Sequence, residues 1–289
     1  MGISAAMSSA ANPHAKTRPL ADLSGTILLA GAGKMGGAML EGWLRLGFSP
    51  ANVAVIEPQP SPEVAALSGR GLRLNPPRDA VGEVAAVVLA VKPQTAPEAM
   101  PALAPFVGDA TVVVSIMAGR TLRFLADALP QAALVRAMPN TPAAIGRGIT
   151  VMVANSRVSP EQRALVDALL SAVGAVEWIS DETLMDAVTA LSGSGPAYVF
   201  LLAEAMAHAG AAAGLPPALA ATLARATVAG SGELLQRSPL EAATLRQNVT
   251  SPGGTTAAAL DVLMGKDGLE RLMTAAIAAA TKRSRDLAG

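Results

Sequence analysis

Two stretches of the chain concentrate glycine and small hydroxyl residues where a helix is about to begin. The first, TILLAGAGKMGGAM (residues 26–39), spaces Gly31, Gly33 and Gly36 as G-x-G-x-x-G. After a strand and before a helix, the first glycine of this pattern permits a tight turn and the second lets the backbone approach a pyrophosphate. The third lets the helix pack close to the sheet, and the helix N-terminus turns unpaired N–H groups toward the phosphates. The intervening Ala32, Lys34 and Met35 belong to the same candidate dinucleotide site. The second stretch, TSPGGTTAAAL (residues 250–260), places Ser251, Gly253, Gly254, Thr255 and Thr256 before an alanine-rich segment. A helix N-terminus presenting those N–H groups and hydroxyls suits a carboxylate. A simple helix start would account for the serine, the threonines and one glycine, but less naturally for the pair.

Glu57 lies 21 residues beyond Gly36 (57 − 36), at the end of the next apolar run. An acidic side chain there meets the ribose hydroxyls of NAD and disfavours a 2′-phosphate. Its neighbours Pro58 and Gln59 leave the choice between NADH and NADPH open, and a solvated carboxylate at a strand end is the competing interpretation.

Composition narrows the remaining chemistry. The chain has 289 residues, no cysteine and two histidines. Disulfides, thiol catalysis and Cys-ligated zinc are thereby excluded, no metal site is expected, and a reducing compartment such as the cytoplasm fits. His14 falls in a low-complexity tail and His208 in an alanine-rich segment, where a packed helix residue is expected rather than a base. Lys+Arg and Asp+Glu both number 22, which argues against nucleic acid and for small-molecule partners. No run of about 18 uninterrupted apolar residues occurs, so no membrane span is expected. Residues 1–24, rich in Ala and Ser, read as a disordered extension.

The positioning elements follow from apolar patterning. Strand-length runs rich in β-branched residues occur at 26–31, 52–57, 85–91, 111–117, 133–138, 149–154 and 175–180. Helix-like pieces separate them, at 35–46, 94–106, 121–129 and 159–173. Continuous apolar runs suit strands buried on both faces, hence a doubly wound parallel α/β domain over 25–181. After Asp181 only helices are expected, giving an all-α domain over 182–289. SPEQ (159–162) and SPLE (238–241) both have the pattern of a capped helix start. Several alanine-rich helices, such as 203–214 and 273–284, are apolar on most faces and call for a subunit interface.

Further motifs cluster at strand ends. AVKP (Ala90, Val91, Lys92, Pro93) and SIMAG, with Ile116, Met117 and Ala118, both follow strands where ligands of open α/β sheets gather. Lys92 is either a cationic contact to a cofactor or an exposed loop lysine. RAMPNTPAAIGRG (136–148) fixes a loop of definite shape through its prolines. DAVTALSGSGPAY (186–198) ends one helix and begins another through Gly193, Ser194 and Gly195.

Taken together and in this order, GAGKMGGAM, AVKP, RAMPNTPA, DAVTALSGSGPAY and TSPGGTTAAALDVL resemble the pyrroline-5-carboxylate reductase family from Thr26 to the C-terminus. The resemblance implies a Rossmann N-terminal domain, an all-α C-terminal dimerisation domain, and dimers that often join into a decamer. It implies hydride transfer from NADPH or NADH to the C=N carbon of 1-pyrroline-5-carboxylate, giving L-proline in the final step of proline biosynthesis. In that picture residues 31–36, 90–93 and 116–118 and Asn248 lie along the cofactor. Ser251–Thr256 receive the substrate carboxylate, Thr256 bonds the ring nitrogen as the catalytic residue, and Glu182 is nearby. The family pattern places an asparagine at position 77, which here is Pro77, with Asn75 two residues earlier.

Imine reduction needs a hydride and a placed carbon but no covalent nucleophile, so a chain poor in His and Cys is suited to it. A 3-hydroxy-acid dehydrogenase is the competing enzyme; it would need a base or lysine, and the helical half holds none before Lys266. A non-catalytic dinucleotide sensor is the competing non-enzyme.

Overall fold

The computed structural model describes residues 25–288. The expected disordered extension over 1–24, including His14, lies outside the described residues. By compactness these residues divide into two units, one comprising 25–196 with 277–288 and the other Ala197–Ala276.

The first unit is built on eight strands: β1 (Thr26–Ala30), β2 (Val53–Ile56), β3 (Arg73–Leu74), β4 (Val84–Leu89), β5 (Val112–Ser115), β6 (Ala133–Met138), β7 (Gly148–Ala154) and β8 (Gly174–Trp178). Their spatial order is β3-β2-β1-β4-β5-β6-β7-β8. The order reverses beside β1, flanked by β2 and β4, so the strands' carboxyl ends open a crevice there, where ligands of such sheets bind. Alternation along β1 feeds two cores. Ile27 and Leu29 pack with Met39, Leu40 and Trp43 of α1 (Lys34–Arg45) and with Val166, Leu169 and Leu170 of a later helix. Leu28 and Ala30 face the other side, against Ala96, Met100 and Leu103 and against Leu125. Burial of each large aliphatic side chain contributes about 1.5–3 kcal/mol.

One part of the all-parallel expectation is corrected: β6 and β7 pair antiparallel. The connection between them, residues 139–147, is too short for the crossover that parallel strands need. It turns back through Gly146 at φ 69°, and Asn140 Oδ1 accepts from the Ile149 N–H at 2.9 Å. The other sheet pairs are parallel.

The helices after α1 are α2 (Pro62–Ala66), α3 (Ala96–Leu103), α4 (Leu122–Ala128), α5 (Pro160–Ser171), α6 (Met185–Val188), α7 (Gly195–Ala212), α8 (Pro217–Arg237), α9 (Ala242–Asn248), α10 (Thr255–Leu263) and α11 (Leu269–Ala288). The indole N–H of Trp43 donates to the Leu169 carbonyl at 2.8 Å, locking α1 to α5. Ser159 caps α5 with a complete capping box through Gln162. The parallel expectation at Ser238 fails: its hydroxyl accepts from the Leu240 N–H in a local turn, and α9 begins later with Glu241 at its cap position and no side-chain cap. The two sequences look alike, but a local hydroxyl turn competes with the cap.

In the second unit only Ala220 and Ala224 are buried among apolar residues, while Phe200, Leu201, Val262 and Leu272 are each more than 60% exposed. Gly210 comes within 3.2 Å of the Ala220 Cβ, reckoned from an added Cβ, so α7 and α8 meet through small residues. His208, expected to be packed, is exposed on α7 in the single chain. No helix of the described residues is long and apolar enough to cross a membrane.

Ser159→Ala is expected to cost about 1 kcal/mol of unfolding free energy, measured by urea titration. Ser238→Ala is expected to cost clearly less, and equal losses would restore Ser238 as a helix cap.

Candidate active site

The three glycines after β1 are required for different reasons. Gly31 has φ 92°, a left-handed value, and an added Cβ would meet the Ala90 carbonyl oxygen at 2.7 Å. At Gly36 a Cβ would collide with the Gly31 carbonyl oxygen, so α1 crosses the end of β1 at backbone contact. Both positions are explained by packing alone. Gly33 is not: an added Cβ meets nothing within 4 Å. It is the exposed N-cap of α1 with no side-chain cap hydrogen bond, so the first N–H groups of a twelve-residue helix face outward without a side-chain partner. Lys34, first in the helix, is exposed beside it. A glycine that the protein's own packing does not demand, at an open helix start, is a cradle fitted to a phosphate group.

Glu57 is tied directly to this loop. Its Oε2 accepts from the Ala32 N–H at 2.9 Å, and its Oε1 from the Gln59 N–H at 3.1 Å. Asn75 then fixes the backbone of Glu57 from both sides, its Oδ1 accepting from the Glu57 N–H at 2.8 Å and its Nδ2 donating to the Glu57 carbonyl at 2.9 Å. Asn75 has φ 47°, the one described non-glycine residue in the left-handed region, where Asn is among the tolerated types. Residue-by-residue reading left Asn75 without a role. The available signal was the asparagine that the family resemblance places two positions later.

The loops after β4 and β5 converge at the same edge. Ala90 N–H donates to the Ala30 carbonyl at 2.7 Å, and Ile116 N–H to the Leu89 carbonyl at 3.0 Å. Lys92 is exposed and its carbonyl accepts from the Thr95 hydroxyl. Met117 is buried and Ala118 is exposed. The two loops are clamped by Arg120, which sequence reasoning missed. Its Nε and Nη2 both donate to the Pro93 carbonyl, at 3.1 and 2.8 Å, while its guanidinium stacks 4.5 Å from the Phe124 ring.

Glu182 begins the helical segment and its Oε1 is already engaged. It accepts from Arg136 Nη1 at 2.9 Å and from the Leu122 N–H at the start of α4 at 2.8 Å. Arg136 on β6 is buried. Asp181 beside it accepts from the Thr183 N–H, and the Thr183 side chain helps hold its carboxyl below the usual range. Beyond, Thr189–Gly193 winds as a π-helical turn that runs almost directly into α7, so the expected break at Gly193 and Gly195 is a widened continuation. Such single π turns recur at functional sites. A Cβ on Gly193 would come within 2.6 Å of Met138 Cε, which brings the SGSGP segment onto the loop after β6.

In the second unit, Gly254 is the N-cap of α10 and no side chain caps it. Gly253 has φ 69°, and Gly254 N–H donates to the Ser251 carbonyl at 3.0 Å. A Cβ on Gly254 would strike Ser251 Oγ at 2.6 Å, whereas one on Gly253 meets nothing within 4 Å. The pair of glycines is thus explained by a left-handed turn and a close hydroxyl contact. Thr255 is exposed, Thr256 half-buried and Asn248, last in α9, exposed.

A doubly wound sheet whose switch point carries an open, glycine-lined helix start defines an NAD(P)H-dependent oxidoreductase of the Rossmann class. Residues 26–119 match the family model described as NADP oxidoreductase coenzyme F420-dependent, and residues 182–287 match that of pyrroline-5-carboxylate reductase dimerisation. The chain is 42% identical over 243 residues to the pyrroline-5-carboxylate reductase of Synechocystis, covering 83% of this chain and 89% of that one. Against that of Pisum sativum it is 37% identical, covering 93% and 98%. Among solved structures it is similar to a pyrroline-5-carboxylate reductase from Coxiella burnetii, with TM-score 0.84, 32% identity and coverage of 92% and 99%. It is also similar to the NADP-bound pyrroline carboxylate reductase of Plasmodium falciparum, with TM-score 0.76, 27% identity and coverage of 91% and 98%. The chain belongs to the pyrroline-5-carboxylate reductase family.

Arg136→Met removes the cation from a largely buried pair and is expected to lower unfolding free energy by about 3 kcal/mol. A loss below about 0.5 kcal/mol in a urea titration would mean that the pair behaves like a surface bridge.

Proposed function

We propose that Gly31–Gly36 seat the pyrophosphate of NAD(P)H and that Ser251–Thr256 receive the substrate carboxylate. The enzyme reduces 1-pyrroline-5-carboxylate to L-proline, the final step of proline biosynthesis. The observation that carries the cofactor assignment is Gly33, open to solvent at an uncapped helix start. Ala32, Lys34 and Met35 complete that cradle, Glu57 meets the adenosine ribose, and Ala90–Pro93, Ile116–Ala118 and Asn248 line the rest of the cofactor.

When bound, NAD(P)H supplies the hydride that saturates the C=N carbon. The chain's own residues position and neutralise. N–H groups at the start of α10 hold the carboxylate, as helix N-termini favour anions. The Thr256 hydroxyl hydrogen-bonds the ring nitrogen, which gains negative character relative to the iminium as the hydride arrives. Glu182 acts as a fixed carboxylate, its position set by Arg136 and the Leu122 N–H. Arg120, by clamping Pro93, holds two cofactor-lining loops in register.

In this reading residues 25–181 hold the cofactor, and residues 182–289 hold the substrate carboxylate and pair with a second copy. The exposed apolar side chains of α7, α8 and α11 support that pairing, and dimers assembling further into a decamer extend it. The enzyme acts in the cytoplasm on a small molecule, without nucleic acid or membrane as partner.

Oxidation of NAD(P)H on adding 1-pyrroline-5-carboxylate, with proline as product, is the direct test; no oxidation with either cofactor would overturn the assignment. Thr256→Ala is expected to lower turnover about 10- to 100-fold while dinucleotide affinity barely changes. Gly33→Ala is expected to fold normally and bind NAD(P)H about tenfold or more weakly, whereas unchanged binding would remove the pyrophosphate from this loop.

A further inference from the structure

We propose that this enzyme prefers NADH, and that the Glu57 carboxylate is what turns away the 2′-phosphate of NADPH. The proposal rests on the cofactor site assigned above and settles which of the two dinucleotides that site takes.

Glu57 follows Ile56, whose carbonyl accepts from the Gly31 N–H at 2.9 Å, so it stands one residue past the last rung of β1 and β2, beside the glycine loop. Its carboxylate does not swing freely. One oxygen takes the Ala32 N–H and the other the Gln59 N–H, while Asn75 holds its backbone on both sides and is itself tied to β2 through its N–H and the Val55 carbonyl. An ionised carboxylate is acceptor-only, with about four lone-pair positions. Two are used, and those remaining suit the donors of a ribose diol. They repel a 2′-phosphate, which carries about −1.5 to −2 charge.

The cation that a 2′-phosphate site requires is missing from this segment. Residues 46–69 contain no Lys or Arg, and their carboxylates are Glu57 and Glu63. Of the basic residues that follow, Arg73 and Arg78 are directed elsewhere. Arg73 opens β3 and its guanidinium reaches Thr26 Oγ1 and the Ala51 and Val81 carbonyls, at the sheet edge opposite the glycine loop. Arg70 precedes it. Arg78 is bonded to the Pro105 and Gly82 carbonyls and stacked on Phe106. Lys34 is the one cation within the glycine loop itself, and it stands at the helix start assigned to the pyrophosphate. The chain thus departs from the NADP named for its Plasmodium relative through its own residues.

The test is equilibrium titration of the full-length protein with NADH and with NADPH, followed by calorimetry or cofactor fluorescence, with no pyrroline carboxylate present. The wild type is expected to bind NADH at least about tenfold more tightly. Glu57→Gln keeps an oxygen for the Ala32 N–H but removes the charge, and is expected to cut that ratio about fivefold or more; Glu57→Ser serves the same purpose should the glutamine variant misfold. Equal or tighter binding of NADPH by the wild type overturns the proposal, as does a ratio that Glu57→Gln and Glu57→Ser leave unchanged. Because substrate is absent, failure to reduce pyrroline-5-carboxylate would overturn the proposed function while leaving this preference measurable.

Discussion

Backbone contact between Gly36 and the Gly31 carbonyl fixes how α1 leaves the sheet. Helix α1 can cross the end of β1 that closely only because Gly36 has no side chain, while a side chain on Gly31 would instead strike the Ala90 carbonyl after β4. That crossing sets the direction of α1 and hence places Trp43 against Leu169 further along it. It leaves the N–H groups of α1 at the switch point between β2 and β4, where strand order reverses. Gly33 then remains open at the helix start, and the Ala32 N–H is turned to Glu57. The steric requirement at Gly36 therefore supplies the packing of a helix, an open helix start and the anchor of a carboxylate.

Around this point the first unit holds its loops by polar contacts that leave little freedom. Arg120 joins the segments after β4 and β5 through one carbonyl, Glu182 joins β6 to the start of α4, and Asn75 joins the ends of β2 and β3. None of these residues is a nucleophile or a histidine base. That is consistent with a reaction in which the cofactor carries the chemistry and the protein supplies position and electrostatics. The helical unit has the opposite character, with few buried apolar residues and exposed leucines and phenylalanine. A sequence region matching a dimerisation model is where such faces are expected.

Much of the sheet was legible because its strands are buried on both faces and read as unbroken β-branched runs. β3 was not: Arg73–Leu74 is two residues long, too short for any pattern. The reversal at β7 was hidden because an apolar run buried on both faces looks the same in either direction; only the short connection from Met138 to Gly148 distinguishes them. Ser159 and Ser238 show the limit of local motifs, since the same Ser-Pro opening gives a capping box in one place and a two-residue hydroxyl turn in the other. At the site, the glycine spacing identified the loop, but the bond from Ala32 to Glu57 and the clamp of Arg120 on Pro93 link residues 25 and 27 positions apart. Spacing alone does not specify such pairs. The fold specifies them.

Isotope transfer reports whether this chain directs a hydride to the imine carbon of its substrate. With NADH deuterated at both C4 positions and 1-pyrroline-5-carboxylate as substrate, proton NMR of the product should show L-proline carrying one deuterium at its δ-carbon. Proline formed without deuterium there, or no proline at all, would rule out hydride delivery to that carbon.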